Sequence, residues 1–542
     1  MSLQLHIIDW VVLIGYLVIV AAIGIIAGRY VRGTESYFLG NRGFNRWLMI
    51  GQSFGIGTHA EMPVSLAGAV YTSGFSGIWF QWKNLFATPF YWLIAPLFRR
   101  MRRTTIGEVV EDRYGPWMGV IYTAFALIYF TINMASMLKG AGKVISQATG
   151  GAVSPNSIVL AMTIIFLLYS FIGGLLASAW TDFFQGFLII ALSFMLIPLG
   201  WGQVGGLSGM KQTLAPHFFS LATPDGIGVW FIFLLTLNGL IGIISQPHQL
   251  AAVGTGKDER ACRNGMFHGN FVKRICTIGW ALVGLMIAAL AANPNSGFGR
   301  LEDPEDAFGL ACRHLLFPGG LGLMLASILA ANMSTCSAFM VDSGALFTKN
   351  LYQRFFRLEA SDTHYLWAGR ISGLVLSSLG ILYALFLVDR VLYSFLLTET
   401  MATYMGISIF GGILWRRANR WGAAASLIVP LVVNFALMAS SGQRLDHWDP
   451  NAFAISLVTG IAALIIVSYA TSPEPATTLD PFFARFAEPV EGTAAPGTRL
   501  LLADLATGLK KGASYKEDVN GFLIGWALVA ALVGATWLWL RT

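Results

Sequence analysis

Charge is scarce in this 542-residue sequence: Asp, Glu, Lys and Arg make up 12% of it, against 55% hydrophobic residues. A water-soluble domain carries about 25% charged residues, so a soluble globular chain is excluded. Cysteine is scarcer still. Cys262, Cys276, Cys312 and Cys336 show neither a paired framework nor a metal-ligand spacing, and read as ordinary small residues. The histidines are scattered, and no nucleophile–base or metal constellation appears, so no enzyme is expected. The N-terminus lacks a basic n-region and a small-residue cleavage site, so its first apolar run is expected to remain as a helix.

In place of charge there are apolar runs near the length of about 20 residues that spans a bilayer. Fourteen can be counted: 7–27, 47–71, 77–97, 117–137, 158–175, 177–200, 229–244, 266–291, 319–345, 367–388, 393–414, 421–438, 453–470 and 522–539. The fold class is therefore an all-α polytopic membrane protein. The 17 Trp and 60 Gly suit interfacial belts and close helix packing.

The net charge of +7 does not point to nucleic acid, because of where the cations fall. Arg99, Arg100, Arg102 and Arg103 form one cluster and Arg416, Arg417 and Arg420 another, each just past an apolar run. This is the positive-inside pattern. Basic residues collect in alternate loops, while the loop "LEDPEDAF" is acidic. The expected partner is a lipid bilayer, the location a cell (inner) membrane, and both termini lie outside. The polar stretch 471–520, rich in Pro, Ala and Thr, reads as a cytoplasmic surface-lying linker.

Two runs are interrupted. The second contains "SFGIGTHAEMP", where Gly55, Gly57 and Pro63 flank His59 and Glu61; the seventh continues into "ISQPHQLAAVGTG", with Pro247 between Gln246 and His248. Breaks in corresponding spans of two halves mark the binding site of a transporter, although Gly and Pro are also common in membrane helices. By the loop charges, the two interrupted runs cross in opposite directions. The expected organisation is an extra helix at 1–28, inverted five-helix units at 45–200 and 227–415, two peripheral helices at 420–470, and a last helix at 521–542.

Five segments, taken in order, resemble the sodium:solute symporter family: "SYFLGNRGF", "SLAGAVYTSG", "TIGEVVEDRYG", "GGLLASAWTDFFQGFLI" and "MSTCSAFMVDSGALFTKNLYQRF". The resemblance covers about residues 30–420 and implies a leucine-transporter-type five-plus-five inverted repeat. It also implies symport of a small-molecule solute with sodium (Na+) by alternating access, in a chain expected to work as a monomer. In the family a sodium cage uses paired hydroxyls and helix-break carbonyls; carried over without gaps, these are Ser334, Thr335, Ala331, Gly55 and Thr58. Hydroxyls that bond the carbonyl four residues back are the alternative. Asp182, in "WTD", matches an acid of the family's sodium release path, and with Ser337 it matches part of a second sodium site. Ala338 stands where that second site expects a hydroxyl, so one sodium is the expected count. An acid at membrane depth is in any case costly and a functional candidate, and Asp342 adds another without a family counterpart.

The solute is less clearly marked. Gln81 in "FQW" stands where sugar carriers have an acid, and Lys273 in "NFVKRI" matches a lysine that some of them use. Met62 and Ser245 depart from sugar carriers, and Lys83 suits a carboxylate equally well. His59, Glu61, Gln246 and Glu399 complete the substrate candidates, each ionisable one having a helix–helix hydrogen bond as its alternative. The expectation is a sugar, polyol or sugar acid; the alternative is an amino acid or simple carboxylate. A channel and a transporter-like sensor are further classes; 471–520 is too short for a signalling domain.

Overall fold

The computed structural model describes every residue except 1–4, 225, 445–446, 491–498 and 510–512. Its elements are helices. The first half contains α1 (Ile7–Gly28), α2 (Arg46–Ile56), α3 (Glu61–Ser73), α4 (Tyr91–Met101), α5 (Ile106–Tyr114), α6 (Pro116–Ala148) and α7 (Pro155–Phe194). The second contains α8 (Val229–Gly242), α9 (Pro247–Gly254), α10 (Glu259–Ala292), α11 (Gly320–Leu346), α12 (Asp362–Phe386) and α13 (Val391–Leu414). Then come α14 (Arg420–Ser440), α15 (Pro450–Ala470), α16 (Ala476–Ala487) and α17 (Lys516–Arg541).

Among the described residues nine helices are long and apolar enough to cross a membrane, or ten if the bent pair α8–α9 is one span. The expected spans missing from that set have physical reasons. Span 47–71 is split between α2 and α3, and 77–97 begins in short helical turns before α4. Span 393–414 carries the buried polar residues Ser394, Thr398, Glu399, Thr400, Thr403 and Ser408. Spans 158–175 and 177–200 fall largely in one element, α7, which is 40 residues long.

A straight helix of that length would reach about 60 Å, twice a bilayer's hydrocarbon core. It is not straight. Gly174 breaks it with φ 56 and ψ −153. On the first leg Tyr169 packs against Gly24 and Ile172 against Gly28, so this leg runs alongside α1 in the same direction. On the second leg Gln185 Nε2 donates to Tyr16 hydroxyl at 2.7 Å, back toward the start of α1. The chain turns around at Gly174.

The two interrupted helices run opposite ways. Just before α2, Phe44 N donates to Thr255 O at 3.1 Å, and Lys257 N donates to Phe44 O at 3.0 Å, just after α9. At the other end, past α3, Trp79 Nε1 donates to Leu221 O at 2.6 Å, in the segment leading to α8. The start of one broken helix thus lies beside the end of the other, as their loop charges predict. On the same side as residue 221, the acidic loop is held by Lys143, 3.1 Å from Asp303 and 2.5 Å from Glu305, and by Arg390, 2.6 Å from Asp303.

Within the stretch 471–520, residues Ala476–Ala487 form a helix rather than a linker. Helix α16 buries Phe482, Phe483 and Phe486. Arg100 donates to Phe486 O at 2.8 Å, Arg485 pairs with Asp112, and Arg416 pairs with Asp480 at 2.7 Å. The Pro and Thr content of the stretch hides this one aromatic face.

Gly174 yields a test. A Cβ there would lie 2.4 Å from Tyr37 Cδ2 and 2.7 Å from Tyr37 O, on a backbone that L side chains rarely adopt. Such strain alone costs about 1–3 kcal/mol. Gly174→Ala should therefore lower the melting temperature of purified protein, whereas Gly534→Ala, with nothing within 4 Å of its added carbon, should not.

Candidate functional site

Breaking a helix inside a membrane frees carbonyls that have no water to turn to. The breaks at residues 57–60 and 243–246 abut, Gln249 Nε2 lying 3.2 Å from where a Gly57 Cβ would stand. Donors come from other helices. Thr335 Oγ1, on α11, sits 3.3 Å from Gly55 O, 3.3 Å from Ile56 O and 3.4 Å from Ala331 O. One O–H cannot satisfy three carbonyls, so these oxygens keep lone pairs for a cation. Ser334 Oγ donates to Asp182 Oδ1 at 2.5 Å and Ser178 Oγ to Oδ2 at 3.4 Å.

The hydroxyls of Ser334 and Ser178 are Asp182's hydrogen-bond partners, and among the described residues no cation pairs with it. A Cβ on Gly55 would strike Asp182 Cβ and Ser334 Oγ, both at 2.9 Å. Glycine is therefore what lets these oxygens converge. All the groups are hard oxygen donors around one uncompensated carboxylate, and they suit a hard cation such as sodium.

Beside this cluster a small cavity lies between the two breaks. Gly57, His59, Met62, Gln246, His248, Gln249, Lys273, Arg274 and Glu399 line it, with Asn84, Tyr91, Tyr129, Asn133, Asn270 and Phe395. Its free volume is about 20 Å³, room for about one water, so the site is closed. Lys273 donates to Gly57 O. His59 contacts Glu61 Oε1 through Nδ1 at 2.6 Å and Ile56 O through Nε2 at 2.9 Å. Lys83 Nζ lies 3.0 Å from Glu399 Oε2, and Gln246 Nε2 donates to Glu399 Oε1 at 3.0 Å.

The structure sorts the sequence candidates. Gly55, Ala331 and Thr335 lie together, and the carbonyls that Thr335 Oγ1 contacts are those of Gly55, Ile56 and Ala331, not of Thr58. Ser334 donates to Asp182 while its Oγ stays against Gly55, 2.9 Å from where a Cβ there would stand. Ser337 is buried one turn further along α11, and Asp342 is buried with Oδ2 unpartnered.

His59, Gln246, Lys273 and Glu399 line the cavity, with Glu61 behind His59. Gln81 and Ser245 do not. The Ser245 hydroxyl donates to Gly242 O at 3.0 Å and to Ala402 O, while Gln81 O receives Arg274 Nη1 at 3.3 Å. Lys83 faces Glu399, so its amine is not free for a solute. Sequence reasoning missed Arg274, adjacent to Lys273, and His248, adjacent to Pro247. A second cation inside a span, and a ring directly after a helix break, were the available signals.

Residues 37–430 match the sodium:solute symporter family. The chain belongs to this family. As a sodium:solute symporter it is a multi-pass membrane transporter, not an enzyme, and sodium is its coupling ion. An osmoregulated proline transporter of Bacillus subtilis (strain 168) is 27% identical to the symporter over 474 residues, 83% of this chain and 93% of the relative. A sodium/proline symporter of Staphylococcus aureus (strain Newman) is 26% identical over 486 residues, 84% and 91% of the two chains. The solved substrate-bound outward-open structure of a Na+-coupled sialic acid symporter shares the fold, with TM-score 0.71 and 19% identity over 86% of this chain and 98% of that one. With relatives named for proline, and with Gln81 outside the cavity, the amino-acid or carboxylate alternative is better supported than the sugar reading.

The Lys83–Glu399 contact carries a stability prediction. Lys83 is fully buried, and removing one partner of a buried pair costs about 3–5 kcal/mol. Glu399→Gln should sharply reduce folded protein, and adding Lys83→Met to the same chain should restore much of it. Equal losses in the single and double variants would show that the pair is not what stabilises this region.

Proposed function

We propose that the symporter moves a small solute bearing a carboxylate, together with one sodium ion, by alternating access at the two helix breaks. The carboxylate class rests on one observation: Arg274 and Lys273 line the cavity, and among the described residues neither forms an ion pair. Buried cations call for an anionic partner. Proline and sialic acid, which the similar proteins are named for, both carry a carboxylate.

Sodium binds at Gly55, Ile56 and Ala331 carbonyls and at the Thr335 hydroxyl, with Asp182 supplying charge and Ser334 orienting its carboxylate. The helices make fourteen crossings with both termini outside, and units 45–200 and 227–415 rock against each other around the site. The exposed basic loops then face the cytoplasm.

Each part has a measurement. Thr335→Ala removes one oxygen from a charged-group interaction worth about 1.5–3 kcal/mol. The sodium concentration for half-maximal uptake should rise by about tenfold or more, with protein abundance little changed. Uptake by the wild type that is independent of sodium in proteoliposomes would refute the cage. For orientation, a cysteine at Gln443 should react with an impermeant thiol reagent added to whole cells, and one at Lys257 only after the membrane is opened.

A further inference from the structure

The charges around the cavity do not cancel, and the imbalance narrows the solute. Lys83 is matched by Glu399. The same carboxylate also accepts from Gln246 Nε2 at 3.0 Å and from Asn84 Nδ2 at 3.4 Å, so its oxygens are committed. His59 and Glu61 form a second unit, in which Glu61 Oε2 is buried without a hydrogen-bond partner. Ile56 O only accepts, so the Nε2 that meets it carries a hydrogen, and Nδ1 at 2.6 Å from Glu61 Oε1 needs another proton between the two. With that shared proton the pair is neutral as a whole.

Arg274 and Lys273 are left over. Arg274 cannot lose its proton, and its Nε and Nη1 meet neutral acceptors, Thr88 Oγ1 at 3.4 Å and Gln81 O at 3.3 Å. Lys273 donates to another neutral acceptor, Gly57 O.

A zwitterion such as proline or alanine brings a carboxylate that answers one of these cations. It also brings an ammonium that meets only neutral or already neutralised acceptors, the free Asn84 Oδ1, Asn133 Oδ1 and Gln249 Oε1 of the lining and Glu61 Oε2 behind His59. That ammonium would be buried beside two like charges, where attraction and repulsion are poorly screened. An organic anion brings the carboxylate alone.

We infer that the solute is a small organic monocarboxylate without an ammonium group, and that Arg274, with Lys273 beside it, makes the choice between anion and zwitterion. The inference rests on the carboxylate reading proposed above, and it sets this chain apart from relatives named for proline. Arg suits the role because its planar fork meets both carboxylate oxygens at once.

The test is a binding titration on purified wild-type protein at saturating sodium, read by tryptophan fluorescence. The probes are lactate, propionate, pyruvate, proline, alanine, glucose and lactamide, the last being the neutral isostere of lactate. At least one monocarboxylate should bind about a hundredfold more tightly than proline, alanine or lactamide, the scale of a charge-assisted contact. Arg274→Gln should weaken that monocarboxylate by a similar factor and Arg274→Lys by less, while both keep stabilisation by sodium chloride over choline chloride.

Proline or alanine binding as tightly as the monocarboxylates would overturn this inference and leave the carboxylate reading standing. Glucose binding without any carboxylate binding would overturn both. A folded Arg274→Gln with unchanged affinity would remove Arg274 from the role. The comparison of lactate with lactamide needs no variant, so it decides the charge requirement even where Arg274→Gln does not fold.

Discussion

Everything at this site depends on one constraint, that a carbonyl released from a helix inside a membrane must find a donor within the protein. Where α2 stops, Gly55, Ile56 and Gly57 present three carbonyls in a row. Their donors come from three directions: Thr335 from α11, His59 from the break itself and Lys273 from α10. At the other break Ser245 O receives Tyr122 hydroxyl at 2.8 Å, from α6. The breaks thus recruit side chains from helices distant in sequence. Those that arrive with charge, or with lone pairs to spare, become the binding groups.

The sequence made the breaks themselves legible, because Gly and Pro at Gly55, Gly57, Pro63 and Pro247 cannot hide inside an apolar run. The turn at Gly174 was legible only as the boundary between the expected spans 158–175 and 177–200, two residues beyond it. Oxygen donors on α11 were readable because three hydroxyls crowd an otherwise apolar helix. What could not be read was which donor meets which carbonyl. Ile56 rather than Thr58 contacts Thr335, which helix geometry at a break decides. Ser245 looked like a site residue by position, yet its hydroxyl turns onto backbone carbonyls, the local bond that serine readily makes in membrane helices. Lys83 looked free, and only the fold brings Glu399, 316 positions later in the chain, to within 3.0 Å of it.

Buried charge in this protein falls into two kinds. Lys83 with Glu399 and Arg100 with Glu259, the latter at 2.9 Å, are closed pairs, and their value lies in the cost of breaking them. Asp182, Asp342, Lys273 and Arg274 are open. Each is desolvated without an ion-pair partner among the described residues, which folding alone does not reward. Stability explains the first kind. The second kind stores an unfavourable energy that a bound ion of opposite sign relieves.

The open charges are also arranged by sign. Of the open carboxylates, Asp182 lies by Gly55 and Ser334 with Asp342 further along α11, whereas the open cations, Lys273 and Arg274, lie on the far side of the break, past Gly57. Consecutive carbonyls separate the two. Under the proposed function, sodium on Gly55 and Ile56 oxygens pulls electron density along the same short stretch of backbone that Lys273 grips through Gly57. Sodium draws on those lone pairs, and an anion that takes over Lys273 releases Gly57 O. Each ligand then changes the setting of the other's partners, and by linkage the effect must be mutual. With Arg274 and Lys273 opposing sodium until an anion arrives, the cavity charge favours the doubly loaded state over either ion alone. Under the proposed function that preference couples the two ions, and it follows from the placement of Asp182, Lys273 and Arg274 around one broken helix.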